Sequence, residues 1–231
     1  LPIVDPEAYE VGAEVARGGM GRILFAHDRR IGREVAIKEL TSRSAELAQR
    51  FEREARLTAR LQHPGIVPIY EIGAWPDGTP FYAMRLVRGG TLGDAIARAT
   101  TADQRRALLP AVIAACDAVA FAHRHGVLHR DLTPANILRG DHGETVVIDW
   151  GLAKQLDEQD ATPEAGPYRE APLDPARTAA GAVLGTVAYM APEQARGEPV
   201  DARADVYALG AILHHVLSGQ PPFDGDPETT L

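Results

Sequence analysis

The chain has 231 residues, 45% of them hydrophobic, and a formal net charge of −8. That supplies a real core for one or two globular domains, and the acidic balance argues against a general nucleic-acid-binding surface. The single cysteine, Cys116, excludes a disulfide framework within the chain and points to a reducing, cytoplasmic compartment. It lies in an apolar run and reads as a small core residue. No stretch reaches the roughly 18 uninterrupted apolar residues of a membrane span; the best candidate, around residues 112–121, is interrupted by Asp117. The chain starts at Leu1 with no basic-then-apolar signal behind it, so it reads as a piece of a longer protein.

The first part reads as strands. Residues 22–27 and 34–38 are short β-favouring segments, and a glycine-rich turn at 15–21 precedes them. The period then changes over 43–62, where Leu47, Phe51, Ala55, Thr58 and Leu61 share one helical face. His63-Pro64-Gly65 stops that helix. Residues 66–72 and 81–87 read as two further strands around a hairpin turn at Pro76-Asp77-Gly78. Gly89-Gly90 marks a break, after which the chain turns alanine-rich and helical. Residues 108–125 form a long apolar helix ended by Gly126. Residues 155–175 are acidic and proline-rich, a poor candidate for a packed element. Residues 206–217 read as another buried helix, closed by Ser218-Gly219 and Pro221-Pro222.

Several polar residues recur at spacings that suit phosphate chemistry. Residues 15–23 (Val15, Ala16, Arg17, Gly18, Gly19, Met20, Gly21, Arg22, Ile23) lie between two strands, where glycines let backbone amides approach phosphate oxygens. Alone, such a loop is also an ordinary hairpin. Lys38 ends Val35-Ala36-Ile37-Lys38 on an inward-facing strand position and needs an anionic partner; Glu54, between Phe51 and Ala55, can supply one. Singly, each also reads as a surface charge. In the second half, His129-Arg130-Asp131 is followed by Asn136 and by Asp149-Trp150-Gly151. Phosphoryl transfer needs a nucleophile, a metal and phosphates held in line. Asp131 can accept or orient a hydroxyl proton, while Asn136 and Asp149 offer hard oxygens to magnesium. Arg130 is a natural partner for a nearby anion. His129 suits a core hydrogen-bonding position more than a chemical one.

Together these motifs resemble the eukaryotic-type protein kinase family, most of all its bacterial serine/threonine branch. The ordered set also includes Ala191-Pro192-Glu193 and Asp205 in Asp205-Val206-Tyr207-Ala208-Leu209-Gly210, and spans about residue 9 to the end. The resemblance implies an α+β, bilobal, kinase-like fold. A small antiparallel sheet lobe with one helix would cover 1–87, and a larger, mostly helical lobe, incomplete at its C-terminus, would cover 88–231. It implies ATP and Mg2+, with Lys38 on the α and β phosphates, Glu54 as its partner, Asp131 as catalytic base, and Asn136 and Asp149 as magnesium ligands. Residues 15–23, Ala36, Met84 (the gatekeeper), Arg85 and Val87 would contact the nucleotide, which would lie between the lobes. Thr186 would support substrate placement, and the Gly185-to-Met190 stretch favours serine or threonine acceptors in a protein substrate. Thr178 would be the main autophosphorylation site, its phosphate pairing with Arg130, with a homodimer serving that reaction.

This sequence departs from the family pattern in three places. Ala16 replaces the first loop glycine. Trp150 replaces a phenylalanine, and its indole N–H wants a partner. Thr133 stands where a lysine usually reaches the γ-phosphate, so weakened transfer is expected; the alternative is a nucleotide-binding pseudokinase scaffold. A small-molecule kinase of related fold ranks below both. Glu193 is expected to be a buried carboxylate whose usual arginine partner lies beyond Leu231.

Overall fold

The computed structural model describes residues 1–18, 20–42, 44–150, 154–155 and 187–223. It divides into two compact units, Leu1–Arg88 and Gly89–Leu231.

The first unit is a five-stranded antiparallel sheet in the order β1-β2-β3-β5-β4. The strands are β1 (Tyr9–Arg17), β2 (Gly21–Asp28), β3 (Arg33–Leu40), β4 (Ile69–Ala74) and β5 (Pro80–Arg85). Val35 and Ile37 of β3 and Phe81 and Ala83 of β5 are buried together with Leu24 and Ala26 of β2; β-branched and aromatic side chains such as Val35, Ile37 and Phe81 suit a packed, pleated surface. The turn before β5 is the expected one: Gly78 has φ +85°, its N–H donates to the Trp75 carbonyl, and Asp77 accepts from the Thr79 N–H.

One helix, α1 (Ala45–Arg60), packs on β4 and β5. Ser44 caps it by accepting from the Leu47 N–H, which sets its start two residues later than periodicity alone suggests. It buries Phe51, Glu54, Ala55, Leu57 and Thr58. The strand expected from residue 66 begins only at Ile69, because Pro68 has no N–H to give a ladder and instead accepts from Arg85 through its carbonyl.

Residues before β1 belong to this unit as well. Ile3 bridges Ala74 in parallel, Val4 N–H donates to the Ala74 carbonyl, and Val4 is buried in the core. Gly73 makes the room, since a Cβ there would stand 2.5 Å from a Val4 methyl.

The second unit is mainly helical: α2 (Leu92–Arg98), α3 (Ala102–Arg106), α4 (Leu109–Arg124), α5 (Pro192–Ala195) and α6 (Ala202–Ser218). Short strands complete it. The strands β6 (Gly89–Thr91), β8 (Ile137–Gly140) and β9 (Thr145–Val147) form one sheet, and β7 (Val127–Leu128) pairs with β10 (Lys154–Gln155). The Ala102–Arg124 stretch is long and apolar enough by length and composition to cross a membrane. In this fold α4 is a core helix: Ala111, Val112, Ala115, Ala118, Val119 and Ala122 are buried, and it packs against α6, β7 and β9.

α6 begins at Ala202, earlier than its apolar run, and is capped after Ser218 by Gly219 at φ +79°. It is buried on one side only. Ala204, Asp205, Ala208, Ile212 and Val216 face the core, while Val206 is 61% exposed and Leu217 is also exposed. An apolar residue is thus not always a core residue.

Candidate active site

In the first unit, the antiparallel register sets Lys38 of β3 opposite Tyr82 of β5 and Ile23 of β2. Lys38 Nζ donates to Glu54 Oε1 at 2.6 Å, and the Tyr82 hydroxyl donates to the same oxygen at 2.7 Å. Glu54 is 3% exposed, so it is no solvated helix charge. A buried carboxylate persists only when a cation and hydrogen bonds compensate its lost hydration, and Lys38 and Tyr82 do so here. Tyr82 is a site residue that the sequence reading missed, because its role depends on strand register.

The glycine-rich turn closes through Gly18 N–H to the Gly21 carbonyl at 2.8 Å. Val15, Ala16, Arg17 and Gly18 are exposed, Met20, Arg22 and Ile23 are half-buried, and Gly19 lies outside the described residues. The two described glycines differ in kind. A Cβ on Gly21 would meet the Glu39 carbonyl oxygen at 2.0 Å, whereas none of the described atoms lies within 4 Å of one on Gly18. Gly21 serves strand packing; Gly18 leaves an open approach to the backbone. Ala36 and Met84 are buried and paired in register, and Arg85 and Val87 are half-buried near the end of this unit.

In the second unit, the stretch after β7 is held from behind by Asp205 at the start of α6. Asp205 Oδ2 accepts from His129 N–H at 2.8 Å and from His123 Nε2 at 2.7 Å, and Oδ1 accepts from Arg130 N–H at 2.8 Å. Burial alone would raise the Asp205 pKa, but the His123 hydrogen bond and the backbone N–H groups of His129 and Arg130 help outweigh it and hold the carboxyl low. The His129 ring is fully buried and its pKa is driven down by that burial. One neutral tautomer satisfies both its contacts: Nε2–H donates to the Ile148 carbonyl at 3.1 Å, and Nδ1 accepts from Asp131 N–H at 3.3 Å.

Two non-glycine residues among those described have positive φ: Arg130 at 68° and Asp149 at 62°. Such strain persists only where the surroundings over-determine it, and it concentrates at functional sites. Between them in sequence lie Asp131 and Asn136. Asn136 Nδ2 donates to the Asp131 carbonyl at 2.8 Å and approaches Asp131 Oδ2 at 3.4 Å, while the Asn136 carbonyl accepts from Ile148 N–H. Burial, and then the charge of Asp149, push the Asp131 carboxyl up to about 7, against the lowering effect of Asn136. A general base is most effective with a pKa near working pH.

The donor set fits magnesium. Asp149 is exposed, and its negative charge helps burial to raise the pKa of the Asp131 carboxyl, an electrostatic conflict that a divalent cation would relieve. Among the described residues no cluster of three or more His, Cys, Asp or Glu side chains forms a metal cage.

Thr133 is 7% exposed and its hydroxyl does not cap the following 3-10 turn, Pro134–Asn136. Trp150 is buried against the His129 ring, with centroids 4.6 Å apart, and its indole N–H has no hydrogen-bond partner among the described residues. The Arg130 Nε likewise has none among them. Gln194 of α5, not singled out in the sequence, donates from Nε2 to the Arg130 carbonyl at 2.6 Å. Glu193 is half-buried rather than buried, so the full penalty for an unpaired buried carboxylate does not apply to it. Thr178 and Thr186 lie outside the described residues.

A five-stranded sheet with a lysine–glutamate pair on β3 and α1, joined in one chain to a helical unit built around this aspartate–asparagine stretch, defines a protein kinase fold. Residues 9–231 match the family model for the protein kinase domain, and the chain belongs to that family, in its bacterial serine/threonine branch. It is 39% identical to the serine/threonine-protein kinase PknD of Protochlamydia amoebophila, over 96% of this chain and 24% of that protein. It is 40% identical to the serine/threonine-protein kinase PknB of Mycolicibacterium smegmatis, over 95% of this chain and 34% of that protein. It is also 40% identical to the DNA damage-responsive serine/threonine-protein kinase RqkA of Deinococcus radiodurans, over 96% and 31%. The chain therefore spans about a quarter to a third of the length of these curated relatives.

Proposed function

We propose that this protein transfers the γ-phosphoryl group of ATP to serine or threonine hydroxyls of protein substrates. Asp131 accepts or orients the proton of the acceptor hydroxyl. Lys38, fixed by Glu54 and Tyr82, contacts the α and β phosphates, and the backbone around Gly18 approaches them from the glycine-rich turn. Met84, Arg85 and Val87 contact the adenine. Asn136 and Asp149 would hold Mg2+, which when bound supplies positive charge to the phosphates. The observation that carries this reading is the strained geometry at Arg130 and Asp149, which flank Asp131 and Asn136 in sequence and are the described non-glycine residues with positive φ.

Thr178 is the proposed autophosphorylation site, with Arg130 as the partner of its phosphate and a second copy of the chain as the reacting partner. Thr133 supplies no charge to the γ-phosphate, and the expected consequence is slow turnover rather than loss of transfer. The test is transfer of labelled phosphate from ATP by the full-length protein with magnesium, with Asp131→Ala as control and mass spectrometry of the products. Label on seryl or threonyl residues that disappears in the control supports the reading. ATP binding without transfer to any substrate or to itself overturns it.

A further inference from the structure

We propose that Gln194 is a positioning residue for Asp131, tying the orientation of the base to the seat of α5; the inference rests on the function proposed above. The peptide joining Arg130 to Asp131 is the element that aims the base. Its preceding residue, Arg130, is in the left-handed region, with φ 68°, and a side chain there is held against its own steric preference.

The holding groups are visible. Asp205 fixes the N–H of Arg130 at 2.8 Å, on the near side of the strained residue. The N–H of Asp131 reaches His129 Nδ1 only at 3.3 Å. The carbonyl of the same peptide takes the Gln194 amide at 2.6 Å, the shortest of these three contacts. Rotation of this peptide plane is the easiest escape from the left-handed geometry, and it would swing the Asp131 side chain. Gln194 is the side chain that blocks the rotation on the carbonyl side.

The surroundings make the role testable. A cavity of about 10 Å³, close to the volume of one water, is lined by Arg130, Asp131, Tyr189, Gln194 and Asp205. A small residue at 194 would enlarge it and let water donate to the orphaned carbonyl. A methionine would fill the space and offer no donor. A glutamate would set a carboxylate against a carbonyl oxygen.

In the full-length protein, Gln194→Met and Gln194→Glu are therefore expected to lower kcat about tenfold, with KM for ATP and for a peptide acceptor changed less than twofold. Gln194→Ala should lose less activity than Gln194→Met, although it removes more packing. A purely structural role predicts the reverse order, with activity following melting temperature. The inference is overturned if Gln194→Met keeps kcat within twofold of wild type, if the loss falls in KM, or if activity follows stability across the three variants. Wild-type protein measured alongside separates the two levels. Active wild type with unaffected variants removes the role of Gln194 and leaves the proposed function standing; inactive wild type removes both.

Discussion

Asp131→Asn should yield a protein that is more stable than wild type near pH 8 and unable to transfer phosphate. The Asp131 carboxyl is raised from 3.8 to about 7, by burial first and by Asp149 second. A carboxyl whose folded pKa is raised holds its proton more tightly in the fold than in the unfolded chain. The stability it contributes is complete below about pH 3.8, and it is lost as pH rises through about 7. At about 1.4 kcal/mol per tenfold change in proton affinity, the ceiling on this loss is about 4 kcal/mol. Solvent screening at a partly exposed side chain reduces it to about 2 kcal/mol. Asparagine has no charge to lose, and its carbonyl can still accept from Asn136. Without magnesium, the variant should melt about 4–8 °C above wild type at pH 8, and the gap should close toward pH 4. Thermal unfolding in a chelator at the two pH values decides it. An unchanged melting temperature at pH 8, or an equal gain at both pH values, would refute the electrostatic argument.

Three further outcomes follow from the geometry. Gly21→Ala should lower the melting temperature strongly, because its Cβ would meet the Glu39 carbonyl at 2.0 Å; Gly18→Ala should leave stability unchanged and weaken ATP binding, measured by calorimetry. Tyr82→Phe removes the hydroxyl bond to Glu54 Oε1 and should cost about 1–3 kcal/mol in denaturant unfolding, with a rise in KM for ATP as Lys38 loosens. Thr133→Lys should lower the melting temperature of the nucleotide-free protein, since it adds an ammonium at a position 7% exposed. ATP with magnesium should restore that stability and kcat should rise, which paired melting and steady-state assays would detect.

The parts of the site that could be read in advance are those whose cue is local. Lys38 follows three apolar strand residues and Glu54 sits among the buried positions of an amphipathic helix, so each announces an inward charge that needs a partner. The order of the elements followed from periodicity for the same reason. Tyr82 gave no such cue, because its hydroxyl reaches Glu54 only through the β3–β5 register, a property of distant segments. The left-handed backbone at Arg130 and Asp149 was hidden for a different reason. Glycine and asparagine advertise that region; arginine there is imposed by Asp205 and Gln194, which lie more than 60 residues away. The apolar residues of α6 misled in the opposite direction, since hydrophobicity gives no direction and Val206 points away from its unit's core.

The seating of Val4 changes where this fold can safely be cut. The family match begins at residue 9, yet Pro2, Ile3 and Val4 cover the Ala74 end of the outer rim of β4 with two backbone hydrogen bonds to Ala74. A fragment trimmed to Tyr9 would bare that rim and leave a hollow beside Gly73. Unpaired strand rims template association between chains, so such a fragment would be prone to clump even with every catalytic group intact.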